Sequence, residues 1–387
     1  MSAAIALPRV LRIGGGASTE IGGVLHSLGL SKPLLVSDHF LHDHGHVERL
    51  QRALSSAGIT RSRLFCDTVP DPTVASIDAG IAFLGQAEHD CVLGFGGGSV
   101  IDSAKTIAVV GHHGGRIPKY RVPHQQDQPG LPIIAIPTTA GTGSEATRFT
   151  VITDEATNEK MLCAGLAYLP VAALVDYELT LTMPKRLTAD TGIDALTHAI
   201  EAYVSRRANV FADGMALQAM RAIAPNLRTV YREPDHRAAR EAVMVGATQA
   251  GIAFSNSSVA LVHGMSRPIG AHFHVSHGLS NAMLLPAVTE FSAPGAPLRY
   301  ADCARAMGIA SADENTDMAL ARLLAELRSI NVDMEVPSPQ RHGIQWAAWE
   351  ELLDNMAEQA LASGSPGNNP TVPTADQIKS LYRLIYS

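Results

Sequence analysis

The sequence predicts an α/β amino-terminal domain followed by an all-helical carboxy-terminal domain. Two observations carry this. Through the first half, short apolar runs alternate with helix-period segments, a pattern that builds a mostly parallel sheet covered by helices. After about Pro184 the runs are long and helical, with no convincing strand between them. The expected division is residues 1–183 and 184–387.

The elements follow in order. "KPLLVSD" (32–38) is a buried strand ending at an acidic residue, and "HVERLQRALSSAG" (46–58) is a helix with a glycine stop. "DPTVASIDAGIAFLGQ" (71–86) opens with a turn signal and continues as a helix. "DCVLGFGGGSVIDSAKTIAVV" (90–110) reads strand, glycine turn, helix, and "LPIIAIPTTAGTGSE" (131–145) runs from a strand into a second turn rich in glycine and threonine. Beyond Pro184, "PKRLTADTGIDALTHAIEAYVS", "DGMALQAMRAIAPNLRTVY", "HRAAREAVMVGATQAGIAF", "DMALARLLAELRSI" and "ADQIKSLYRLIYS" are helices. "SGSPGNNPTVPT" (363–374) is a loop of turn formers.

Composition excludes several function classes. A net charge of −7 with no basic tract argues against nucleic acid and anionic membranes as partners. The four cysteines, Cys66, Cys91, Cys163 and Cys303, form no CxxC pair, so neither a disulfide framework nor a thiolate zinc site is expected. The start "MSAAIALPRVLRIGGG" lacks the pattern of a signal peptide, and no apolar stretch is long enough to span a bilayer. A cytoplasmic location is the expectation.

Two glycine turns at strand ends favour a nucleotide site. Gly96, Gly97, Gly98 and Ser99 lie between a strand and a helix, where backbone N–H groups and the helix dipole hold phosphate. Thr138, Thr139, Gly141, Thr142, Gly143 and Ser144 form the second turn. Asp38, at a strand end, suits the ribose 2′-OH of NAD, and its charge would repel the 2′-phosphate of NADP. Asp38 equally suits a cap for the helix beginning near His39.

Polar residues on the apolar helices point to a metal. In "TGIDALTHAIEAYVS" (191–205), Ile193, Leu196, Thr197, Ile200, Tyr203 and Val204 recur at helical spacing. Asp194 and His198 interrupt that pattern at i and i+4, on one face. Alone they suit a plain hydrogen-bonded pair. "HGMSRPIGAHFHVSHG" adds His263 and His277 in repeated His-Gly contexts, with His272 and His274 between them. Three histidines and one aspartate from the two segments supply four donors for a divalent cation, and Mn²⁺, Fe²⁺, Co²⁺, Ni²⁺ and Zn²⁺ all suit such a set. His42, His44 and His46 read as surface residues.

"GGGSVIDSAK", "PTTAGTGSEATRFTVITDEATNEK", "DTGIDALTHAIEAYVS" and "HGMSRPIGAHFHVSHGLSNAMLLP" resemble the signatures of the iron-containing (group III) alcohol dehydrogenases over nearly the whole chain. The resemblance implies a dehydroquinate synthase-like fold, with NAD and one divalent metal in the cleft between its domains. Fe²⁺ is the implied ion, with Zn²⁺ the alternative. By match to the motif, the ligands are Asp194, His198, His263 and His277. The cofactor positions carried over are Asp38, Asp71, Gly96, Gly97, Gly98, Ser99, Thr138, Thr139, Thr142 and Lys160.

The implied activity is an NAD-dependent alcohol dehydrogenase or aldehyde reductase, a homodimer or larger homo-oligomer, acting on a small-molecule alcohol or aldehyde. Phe149, Phe254 and Arg267 are candidates for the substrate pocket, and no catalytic group is assigned beyond the metal centre. Arg267 replaces a family histidine, and Asp71-Pro72 replaces the usual Asn-Pro. If Arg267 enters the pocket, the substrate is an anionic hydroxy acid or a sulfonate or phosphonate aldehyde; otherwise it faces a helix C-terminus or a protein carboxylate. The remaining alternatives are a dehydroquinate synthase-like lyase, which needs more basic residues, and a regulator that binds NAD without turnover.

Overall fold

The computed structural model describes residues 2–387. The chain divides into two compact units, Ala6–Thr182 and Met183–Ser387, with the few residues before Ala6 going with the second.

The first unit is an α/β layer structure. Its strands are β1 (Val10–Ile13), β2 (Pro33–Val36), β3 (Arg63–Phe65), β4 (Cys91–Gly96), β5 (Ile133–Pro137), β6 (Phe149–Asp154), β7 (Glu159–Ala164) and β8 (Ala172–Val175). Its helices are α1 (Ile21–Ser27), α2 (His39–Asp43), α3 (His46–Ser56), α4 (Val74–Leu84) and α5 (Gly98–His113). Six strands form one sheet in the order β1-β8-β5-β4-β2-β3, and every pairing is parallel.

Strand side chains alternate between two cores, as a period of two requires. Leu34, Val36, Val92 and Ile133 pack with residues of α4 and α5. Leu35, Leu93, Phe95, Ile134 and Ile136 pack with residues of α1 and α3. Both faces are therefore covered, which is why these strands read as continuous apolar runs.

Parallel pairing also sends the loops after β2, β4 and β5 off the same edge of the sheet. Winding reverses between β2 and β4: β3 lies on one side of β2 and β4 on the other. A reversal of this kind opens a crevice at the carboxyl ends of the strands, where ligands of open α/β sheets bind. The antiparallel hairpin β6–β7 and the strands β1, β3 and β8 are not among the elements expected from sequence.

The second unit contains α6 (Lys185–Val204), α7 (Val210–Arg232), α8 (Arg237–Asn256), α9 (Leu261–Phe273) and α10 (His277–Ser292). It continues with α11 (Pro297–Ala306), α12 (Thr316–Asp333), α13 (Trp346–Glu351), α14 (Leu353–Ala362) and α15 (Ala375–Ile385). No strand follows Val175 among the described residues.

Helix α6 is the centre of this unit. It packs on α7, α8, α9, α10 and α11, and every residue from Thr188 to Val204 is buried. The apolar periodicity places a helix here, and a helix surrounded by others is buried all round. Asp194 and His198 are therefore deep inside the unit, where polar groups need partners. No described helix is long and apolar enough to cross a membrane.

Candidate metal centre and nucleotide loops

In the first unit, helix α5 begins at Gly98 directly after β4. Its N-cap, Gly97, makes no side-chain cap, so the first-turn N–H groups are left uncapped where α5 leaves the carboxyl end of β4. The two glycine turns touch each other. A Cβ on Gly98 would meet Thr142 Cγ2 at 2.5 Å, and one on Gly97 would meet Thr139 Cγ2 at 3.3 Å. These glycines thus let the second turn pack against the first.

A buried polar network holds the second turn. Asp102 Oδ1 accepts from Ser144 Oγ at 2.6 Å, and Asp102 Oδ2 from the Val151 amide at 2.9 Å. Lys105 Nζ donates to the Thr147 and Phe149 carbonyls at 2.9 and 2.8 Å. Burial pulls the Lys105 ammonium down to about 8, against the pull of Asp102 and Glu145.

The remaining cofactor candidates lie on other segments of the same unit. Asp38 follows β2 and caps α2, its Oδ1 accepting from the Leu41 amide at 2.8 Å. Ser99 Oγ accepts from the Asp71 amide at 3.2 Å, and Asp71 Oδ1 pairs with Lys160 Nζ at 2.7 Å. Lys160 lies on β7, whose hairpin reaches this loop through the Thr153 amide and the Pro72 carbonyl at 2.7 Å. Asp71 has a left-handed backbone, φ 51°, which aspartate tolerates better than most residues. Phe149 starts β6 in this unit.

In the second unit, Asp194 and His198 from α6, His263 from the first turn of α9, and His277 from the start of α10 converge. One donor atom from each lies within 4.8 Å of all the others. Asp194 Oδ1 is 3.9 Å from His198 Nε2, 3.5 Å from His263 Nε2 and 3.8 Å from His277 Nε2. Donors bound to one ion at about 2.0–2.2 Å stand about 3–4 Å apart, the range of these three Asp194–imidazole distances.

The glycines after His263 and His277 bring the helices together. A Cβ on Gly264 would strike Pro366 at 2.8 Å, and one on Gly278 would fall on the backbone carbonyl of Asp190 in α6. The Phe254 ring stacks on His198 at 4.3 Å, and His198 stacks on His263 at 4.4 Å. His272 and His274 stay outside the cluster. His272 Nε2 lies 3.0 Å from Gln359 Oε1, and His274 ends α9 in the left-handed region.

The Fe-containing alcohol dehydrogenase family, C-terminal, matches residues 188–386, and iron-containing alcohol dehydrogenase matches residues 8–177. The NAD-dependent methanol dehydrogenase of Bacillus methanolicus is 34% identical over 377 residues, 97% of this chain and 98% of that protein. The chain belongs to the iron-containing alcohol dehydrogenase family. The NADPH-dependent butanol dehydrogenase of Clostridium saccharobutylicum is 34% identical over 387 residues, 98% and 97% of the two chains. Among solved structures, a 1,3-propanediol oxidoreductase superimposes with a TM-score of 0.94 at 33% identity, covering 100% of both chains. The protein is thus an oxidoreductase of the alcohol dehydrogenase type, with the dehydroquinate synthase-like fold of its relatives.

The electrostatics of this alcohol dehydrogenase's cluster fit a cation. Burial alone would raise the Asp194 carboxyl, yet the imidazoles of His198, His277 and His263 hold it well below the usual carboxylate range. Burial likewise lowers the His263 imidazole, but hydrogen bonds with Asp194 and Glu201 more than reverse this and raise it to about 9. Both directions mean that the buried carboxylates demand positive charge. Asp194, His198 and His263 are almost fully buried, whereas the His277 side chain is 36% exposed, so the cluster opens to solvent on its side.

Two polar residues at this centre escaped the sequence reading. Asn281, one turn after His277, places Nδ2 at 2.6 Å from Asp194 Oδ1 and 3.2 Å from Nε2 of both His263 and His277. Glu201 places Oε2 at 2.7 Å from His263 Nδ1. The available signals were their spacings, i+4 from His277 and i+3 from His198, but polar residues at such positions are usually exposed. Arg267 lies one turn beyond His263 on α9. Its Nη1 donates to Ser365 Oγ at 3.3 Å, and no carboxylate lies within 4.0 Å of it among the described residues. Burial pulls its guanidinium down to about 10, against the attraction of Glu201.

Proposed function

We propose that this alcohol dehydrogenase is NAD-dependent and holds one divalent cation, Fe²⁺ or alternatively Zn²⁺, on Asp194, His198, His263 and His277. The observation that carries this is the convergence of one carboxylate and three imidazoles inside the helical unit. Held there, the ion would supply Lewis acidity toward the substrate's alcohol or carbonyl oxygen, and NAD would supply the hydride chemistry.

The chain's own residues do the rest. Phe254 holds the His198 ring in place by stacking. The α5 N-terminus and the turn at Thr138, Thr139 and Thr142 offer N–H and hydroxyl groups to the dinucleotide's phosphates. Asp38 accepts from the ribose hydroxyls with the oxygen that does not cap α2, and Lys160 is held by Asp71 in the same unit. The experiment that tests this reading is metal removal and reloading, followed through NADH oxidation with aldehydes.

Cofactor choice gives a further expected result. Asp38→Asn keeps the helix cap, since asparagine caps as well as aspartate, but removes the charge that repels a 2′-phosphate. The ratio of kcat/KM for NADP⁺ to that for NAD⁺ is expected to rise about tenfold or more, the effect of about 1–2 kcal/mol between charges a few ångströms apart near a surface. Steady-state kinetics with both cofactors checks it, and an unchanged ratio removes Asp38 from cofactor selection.

A second reading keeps the same centre but assigns an anionic substrate. It is favoured by Arg267, a largely buried cation with a hydroxyl partner and, among the described residues, no carboxylate within 4.0 Å. On this reading Arg267→Ala lowers kcat/KM about tenfold or more for acidic aldehydes and much less for neutral ones, because a charge-assisted hydrogen bond is lost only with the former. An equal effect on both classes contradicts it.

A further inference from the structure

We propose that Glu201 is a positioning residue of the metal centre: it fixes the proton of His263 on Nδ1, and so presents Nε2 as the ligand atom, while locking the start of α9 to α6. The inference rests on the metal-centre reading above.

Glu201 is 3% exposed, and three donors converge on it. Oε2 lies 2.7 Å from His263 Nδ1 and accepts from the Ala260 amide at 2.8 Å. Oε1 accepts from the Val262 amide at 2.6 Å. A carboxylate only accepts, and a neutral imidazole carries one proton. In the neutral form that a metal-ligating imidazole must take, the proton of His263 is therefore on Nδ1, and the Nε2 lone pair faces Asp194, whose Oδ1 is 3.5 Å away.

The two amides add a second function. The N-cap of α9, Ala260, makes no side-chain cap, and the first-turn N–H groups of a helix have no partner within it. Glu201 supplies that partner from another helix, with its charge at the positive end of the α9 dipole. Because Asp194, His198 and Glu201 follow at i, i+4 and i+7, they share one face of α6. One rigid helix thus carries two ligands together with the group that orients a third. Partners of this kind fix ring orientation and raise ligand basicity in metal sites generally.

Glutamine at this position breaks the arrangement without changing its size. An amide has one acceptor oxygen for three donors. Turning its NH₂ toward His263 Nδ1 drives the imidazole proton onto Nε2, which then cannot bind metal.

The test uses the full chain after chelation, with Zn²⁺ as the probe. Zn²⁺ affinity is measured by competition with a chromophoric chelator for the wild type, Glu201→Gln and Glu201→Asp, and far-UV circular dichroism reports the fold of each. The expected result is a 10–100-fold weaker affinity for Glu201→Gln, with Glu201→Asp partly restoring it. Ring-nitrogen NMR of the Zn²⁺-loaded wild type, assigned with His263→Ala, is expected to show a protonated Nδ1 at His263; this needs no Glu201 variant to fold. A Glu201→Gln affinity within twofold of wild type, or a His263 Nδ1 without a proton, overturns the proposal. A wild type that binds no Zn²⁺ or Fe²⁺ overturns the metal-centre reading itself, a different outcome from binding that is indifferent to Glu201.

Discussion

Asp194→Ala is expected to lower kcat/KM for aldehyde reduction at least about a thousandfold while leaving NADH binding intact. Asp194 is the sole carboxylate of the four-donor set, and its Oδ1 lies 3.5–3.9 Å from Nε2 of all three imidazoles. Without it the remaining donors are neutral, and the centre loses both a donor and the negative charge that draws a cation in. Lewis-acid stabilisation is worth several kcal/mol of barrier, and about 4 kcal/mol corresponds to the stated loss. The proposed nucleotide loops lie in the other unit, so NADH fluorescence titration should report near wild-type affinity. Metal analysis on the same sample should show a depleted protein. Wild-type turnover by a depleted Asp194→Ala protein would remove the centre from the mechanism.

Gly278→Ala is expected to destabilise the helical unit and weaken metal binding together. The added Cβ would land on the Asp190 backbone carbonyl, and backbone in the buried middle of a helix bundle does not swing aside as a side-chain tip does. The start of α10 must back away from α6, and His277 is the residue just before. Overpacking of this kind costs about 1–3 kcal/mol, or about 2–4 °C in Tm per kcal/mol for a unit of this size. Gly214→Ala is the control. It lies in α7 with nothing within 4 Å of the added Cβ, and a helical glycine replaced by alanine gains about 1 kcal/mol. Thermal unfolding of the chelated proteins and Zn²⁺ titration of both variants check the pair. Equal Tm and equal affinity for Gly278→Ala and wild type would contradict the account of close approach at the His-Gly step.

Much of this was legible because periodicity and spacing are local. The i, i+4 pairing of Asp194 and His198 follows from helix geometry alone, and the alternation of apolar runs with helical segments is enough for a doubly covered parallel sheet. The His-Gly repeats were visible as a pattern, but their reason was not: it lies in Pro366 and Asp190, which are distant in sequence. The hairpin β6–β7 was hidden because its strands are partly exposed and meet at "DEATNE", a polar turn that reads as a motif. Strands β1, β3 and β8 are only three or four residues long. Glu201 and Asn281 were missed for the opposite reason. Each sits at a position where a helix in water would carry a polar residue, and only the burial of α6 and α10 on many sides turns them into parts of a site. At Asp38 the helix cap proved real. That role uses one carboxylate oxygen, Oδ1.

The measurement that bears most directly on the central claim is turnover as a function of bound metal. The protein is prepared without oxygen, stripped by chelation and reloaded with Fe²⁺ or Zn²⁺ in fractional equivalents. At each step metal content and NADH oxidation with neutral and acidic aldehydes are determined. Activity should vanish on stripping and return in proportion to metal, levelling off at one equivalent per chain for the competent ion. Undiminished NADH oxidation by a protein shown to hold no metal would contradict the account.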